Sequence, residues 1–76
     1  MSLYEGKILD YVWYSGKDCV GIVAVQRYEG WRAFIGYSRG GSEAEDLEYI
    51  KSWGAALPKE MAFAAFPDLP EESYVE

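Results

Sequence analysis

Apolar residues gather into three short runs over residues 1 to 39, and turn residues separate them. Tyr4 to Tyr14 is rich in Ile, Leu, Val, Tyr and Trp and stops at Ser15-Gly16-Lys17-Asp18. Cys19 to Tyr28 carries Val20, Ile22, Val23 and Val25 and stops at Glu29-Gly30, after which Trp31 to Ser38 resumes the pattern. β-Branched and aromatic runs bounded by Gly, Ser and Asp read as strands. The short separations predict an antiparallel meander with the second strand in the middle.

The pattern changes at Arg39-Gly40-Gly41-Ser42. Ser42 with Glu45 three residues later is a capping box, and Glu43, Glu45 and Asp46 set negative charge at the positive end of a helix dipole. Leu47, Ile50 and Trp53 are spaced to line the inner face, and Gly54 ends the helix. Pro58 suits the start of a second helix over Lys59 to Phe66, with Met61, Ala62, Ala65 and Phe66 inward, and Pro67 stops it. Residues 67–76 hold two prolines and four acids, which predicts an acidic, poorly ordered tail behind a single domain of residues 1–66. The expected fold is α+β: a three-stranded antiparallel meander followed by two short helices packed on one face.

Two-residue hairpins at Ser15-Gly16 and Glu29-Gly30 would sort the side chains into two sets, because they alternate strictly along a strand. Tyr11, Trp13, Tyr28, Trp31 and Tyr37 then share one face with Val20, Ile22 and Ala24. Gly21, Val23, Val25, Phe34 and Gly36 take the other, interrupted by Asp10, Arg27 and Arg32. Neither face is conventionally polar, whereas a half-solvated sheet alternates apolar with polar. Two helices roof one side, placed by Gly21 and Gly36 on the aliphatic one. The aromatic side is therefore expected to need a partner, a second copy or another protein, contacting Tyr11, Trp13, Tyr28, Trp31 and Tyr37.

Composition narrows the chemistry. The 76 residues are 50% apolar and 17% aromatic, and a domain of this length buries only ~60% of the surface its unfolded chain exposes. One cysteine and no histidine exclude an intramolecular disulfide and a four-ligand zinc cluster of nitrogen and sulfur, and point to a reducing, cytoplasmic home. The longest apolar run, Val20 to Val25, falls far short of the ~18 residues of a membrane span, and the N-terminus shows no export signal.

The net charge of −6 is uneven: residues 1–39 carry five cations against four acids, residues 40–76 two against nine. Lacking a basic cluster, the chain is a poor match for DNA or RNA. A basic protein partner is electrostatically easier, which makes a small acidic regulator or inhibitor the alternative function, presenting Glu43, Glu45, Asp46, Glu48 and the tail.

Catalytic constellations are not legible. Cys19, at the start of an apolar strand, lacks a histidine to activate it and reads as a small buried hydrophobe. A serine triad needs the missing histidine, and Gly36 to Ser42 lacks the lysine of a phosphate loop and is followed by acids that would repel phosphate. Asp10 reads as the partner of Arg27 or Arg32 in a surface ion pair. The expectation is a non-enzymatic interaction module without cofactor or metal, forming a homodimer through the aromatic sheet face.

Overall fold

A computed structural model describes residues 6–14 and 19–76. Strands β1 (Ile8–Tyr14), β2 (Val20–Arg27) and β3 (Gly30–Tyr37) form the expected meander, and a two-residue strand β4 (Ala55–Ala56) extends it to the order β1-β2-β3-β4, all antiparallel. Helices α1 (Glu43–Trp53) and α2 (Lys59–Ala65) complete an α+β domain, and a single 3-10 turn, Glu71–Ser73, follows. None of the helices among the described residues is long and apolar enough to cross a membrane. Tyr4 and Glu5, expected in the first strand, and the turn Ser15-Gly16-Lys17-Asp18 lie outside the described residues.

The two helices do not share a face. Side chains of Val23, Val25, Leu47 and Ile50 form one buried cluster under α1, joined by Ile8, Trp13 and Phe34. Ile22, Ala24, Trp31, Ala33, Leu57, Ala62 and Phe66 form another under α2, joined by Val12, Ile35, Leu69 and Tyr74. Adjacent residues of a strand point to opposite sides, so the Ile22/Ala24 and Val23/Val25 sets place α2 and α1 on opposite faces. That explains the doubly apolar sheet: each face has its own roof. Neither face is left bare for a partner, against the pattern's expectation of two helices on one side.

β4 and the segment behind it make this arrangement possible. Ala55 and Ala56 pair with Ile35 and Phe34 along the outer edge of β3, and the Leu57 N–H donates to the Ala33 carbonyl at 3.0 Å. The chain thus crosses from the α1 side to the α2 side at the sheet edge. Gly54 carries no left-handed backbone (φ −69°); an added Cβ would lie 2.5 Å from the Ile50 carbonyl oxygen and 2.9 Å from that of Ile35, so only glycine fits. Gly21 and Gly36, opposite one another, do mark close approach: Cβ atoms there would lie 3.0 Å from Ile50.

Residues 67–76, read from composition as a loose tail, lie against the sheet. The Trp31 indole Nε1–H donates to the Pro70 carbonyl at 2.8 Å, the Tyr74 hydroxyl donates to the Leu57 carbonyl at 2.8 Å, and the Val75 N–H donates to the Trp31 carbonyl at 2.8 Å. Tyr74 forms a parallel bridge to Trp31, with ring centroids 4.8 Å apart at 75°. Edge-on aromatic pairs of this kind contribute ~0.5–1.5 kcal/mol beyond their buried area.

Inner-face spacing holds for Leu47, Ile50, Ala62 and Phe66 but fails for Trp53 and Met61, which are exposed. Both sit at the ends of their helices' apolar stripes, and Phe63 packs inward instead against Trp31 and Tyr74.

Candidate functional site

The five aromatics expected on one surface are divided between two faces and the core. Trp13 opposes Gly21 and Tyr11 opposes Val23, on the α1 side. Trp31 opposes Gln26 and Tyr37 opposes Val20, on the α2 side. The cause is parity. Tyr14 pairs with Val20, leaving five residues between them instead of two, and an odd change of register turns every β1 side chain over. The second hairpin also differs, turning at Tyr28-Glu29 with Arg27 opposite Gly30, but an even shift leaves β2 and β3 faces as expected.

Trp31, 1% exposed, is core and no contact residue; the Trp13 ring is half-buried over Gly21. Tyr11, Tyr28 and Tyr37 are exposed. Alternation from Trp13 under a two-residue first hairpin would put Tyr14 on the opposite face from Tyr37; instead the two flank Val20 on one face and are 51% and 65% exposed. A signal existed. A tryptophan laid across a strand glycine is a favoured cross-strand pair, and matching Trp13 to Gly21 would have set the register.

The acidic set proves largely engaged within the chain. Asp46 is buried, 4% exposed, and does not belong to the surface. Its carboxylate accepts from the Arg39 N–H (3.0 Å) and the Ser38 hydroxyl (2.7 Å), which hold its pKa below the ordinary value, the backbone bond contributing most. Glu45 closes the capping box, accepting from the Ser42 N–H at 3.0 Å while its own N–H donates to the Ser42 hydroxyl at 3.2 Å. The Ser42 N–H first, and the Ser42 hydroxyl second, act on that carboxylate to lower its pKa too. Glu43 accepts from the Tyr11 hydroxyl at 3.0 Å, and this bond, followed by the Glu43 charge, raises the tyrosine pKa. Glu48 pairs with Lys51 at 2.8 Å.

Edge strand β1 is blunted. Its register shifts between Ile8 and Asp10, and the Asp10 carboxylate accepts from the Tyr11 N–H at 2.8 Å, a local cap in place of the expected pair with Arg27 or Arg32. A bulge and a charge on an edge strand both discourage pairing with another chain. Cys19, expected buried, is exposed beside a hollow of about 320 Å³ that Trp13, Tyr14 and Ser38 also line. Among the described residues no three His, Cys, Asp or Glu side chains converge as metal ligands.

A second recess breaks several local rules at once. Arg27, Tyr28, Arg32, Phe34, Val75 and Glu76 line about 340 Å³ at the β2–β3 turn. The Arg27 guanidinium carbon lies 5.1 Å above the centre of the Phe34 ring. Arg32 Nε is buried without a hydrogen-bond partner among the described residues, a state costing ~1–3 kcal/mol. Tyr28 takes φ 53°, where glycine or asparagine is the usual occupant, at a cost of roughly 1–2 kcal/mol.

The chain matches no protein-family model, no curated protein and no solved structure.

Proposed function

We propose that this chain is a non-enzymatic protein-interaction module whose contact surface is the tyrosine-bearing end of the sheet, with self-association as its first form. One observation carries the reading: Tyr14 and Tyr37 stand exposed on the same face, one on each side of Val20. Two strand spacings separate them, about 10 Å. Tyrosine offers a rigid apolar ring and a hydrogen-bonding tip at low entropic cost, which is why it is enriched at contact surfaces. Because both sheet faces are roofed, association joins partners that are already folded and depends on concentration.

The acidic-regulator alternative has less support, since Glu43, Glu45, Asp46 and Glu48 each already have a partner within the chain. A cytoplasmic home belongs to the proposal: Cys19 is a single, exposed thiol, which an oxidising compartment would leave open to intermolecular pairing.

Sedimentation velocity across tens of micromolar to millimolar chain, on the wild type and on Tyr14→Ala/Tyr37→Ala, tests the reading. A mass that rises with concentration in the wild type and stays monomeric in the double variant supports it. A wild type that remains monomeric throughout removes self-association.

A further inference from the structure

We infer that residues 67–76 form an exchangeable strap: the seat they occupy beside Trp31 takes the same segment of a second copy, so that two chains close on each other. The inference goes beyond the tyrosine surface and stands independently of it. The seat is shaped for this segment. A Cβ at Gly30 would collide with the Ser73 carbonyl oxygen and lie 2.7 Å from Val75 Cγ2, so glycine there lets the strap reach the edge of β3. At that edge the Val75 N–H donates to the Trp31 carbonyl and Tyr74 makes its parallel bridge, a short strand addition. The Trp31 Nε1–H and the Leu57 carbonyl supply two further bonds, and the Tyr74 ring meets Phe63 at 5.4 Å as well as Trp31.

The seat needs a strap but does not specify whose. Its three hydrogen bonds tie the strap to residues distant in the chain, and an identical segment from another copy makes the same three. None of residues 67–76 is itself buried, whereas Trp31 beneath them is 1% exposed, so a vacated seat bares a large aromatic and must be refilled. The hinge is slight. Pro67 follows the α2 C-cap, and one bond, from the Leu69 N–H to the Phe66 carbonyl at 3.2 Å, closes the turn that folds the strap back. Opened out, residues 67–69 span ~10 Å, about the distance between packed helices. Two copies abutting at the ends of α2 therefore reach each other's seats, and the pairing closes with two-fold symmetry. Charge adds little to hold a strap on its own domain: among the described residues its acids make one ion pair, Glu76 with Lys59 at 4.0 Å, and both side chains are more than half exposed.

Release of the strap uncovers the cluster under α2, so exchange is decided during folding, where closure within one chain competes at an effective concentration on the order of millimolar. The test refolds the full chain from urea under reducing conditions at about 5 µM and at about 1 mM, then dilutes both to about 5 µM for size-exclusion chromatography. Dilute refolding should give monomer, and concentrated refolding a dimer fraction about tenfold larger or more that survives dilution. In dimer refolded from equal parts of ¹³C-labelled and unlabelled chain, an isotope-filtered NOE measurement should connect the Trp31 indole of one chain to the Tyr74 ring of the other. Monomer from both refolding conditions overturns the inference, as does a dimer in which the Trp31–Tyr74 contact stays within one chain. Tyr14→Ala/Tyr37→Ala separates the two proposals. It should give the persistent dimer in the same yield while losing association that reverses on dilution; a persistent dimer lost in that variant overturns the strap as its cause.

Discussion

Replacing Trp31 by phenylalanine tests whether this residue is core or contact surface. The indole is 1% exposed, stands edge-on to Phe66 at 6.1 Å and 88° and to Tyr74 at 4.8 Å, and donates to the Pro70 carbonyl. The smaller ring gives up roughly 40 Å² of buried apolar area, about 1 kcal/mol at ~25 cal/mol per Å². Loss of the indole bond costs about 0.5–1.5 kcal/mol more, at the low end because the Pro70 carbonyl keeps the Ser73 N–H as a donor. The total is about 1.5 kcal/mol. A domain of this length holds about 4–11 kcal/mol in all, so the loss is a large fraction of it. Urea unfolding followed by far-ultraviolet circular dichroism should show the midpoint falling by about 1–2 M at an unchanged slope. Stability within about 0.5 kcal/mol of wild type, or weakened self-association at unchanged stability, would refute the assignment of Trp31 to the core.

Ending the chain after Phe66 removes Pro70, Tyr74 and Val75 from Trp31 and should abolish cooperative thermal unfolding; a sharp transition near that of the intact chain would mean the strap contributes little. Gly21→Ala should destabilise by about 1–3 kcal/mol and more than Gly36→Ala, since its Cβ would meet the Trp13 ring at 2.5 Å as well as Ile50, whereas at Gly36 only Ile50 lies close. Thermal midpoints of the two variants decide the order. Asp46 and Glu45 have lowered pKa values, so their contribution is complete above the unfolded carboxylate range, about 4, and is lost as pH falls through the folded values. Asp46→Asn should therefore flatten the acid limb of a melting-temperature profile; an unchanged limb contradicts the assignment. Tyr11 is raised, so its contribution is complete below pH about 10 and is lost as pH climbs through the folded value. Tyrosinate absorbance should show a late-titrating contribution from Tyr11 that moves back toward the ordinary range in Glu43→Gln.

Features set by near neighbours were readable from the linear chain. The meander follows from β-rich runs and their breaks, and the α1 start follows from Ser42 and Glu45, whose bonds span three residues. The α2 position follows from Pro58 and Pro67. The candidate contact surface was readable only in part: Tyr37 and Tyr28 are exposed as expected, whereas Trp31 and Asp46 are buried and Tyr14 emerges on the Tyr37 face.

Local pattern thus establishes that both sides of this sheet are apolar, and that claim holds. Whether the covering comes from outside or within depended on contacts between residues far apart in the chain. Ala55 and Ala56 have side chains too small to announce a strand, yet at the β3 edge they carry the chain around to the second face. Leu69, Tyr74 and Val75, sparse among acids and prolines, become a roof because the Leu57 and Trp31 carbonyls accept from Tyr74 and Val75, the Trp31 ring packs on Tyr74, and its indole N–H holds the Pro70 carbonyl between them. Alternation fixes which neighbours in a strand part company, but the absolute side of β1 hangs on the length of one turn, and a single residue more or less reverses it.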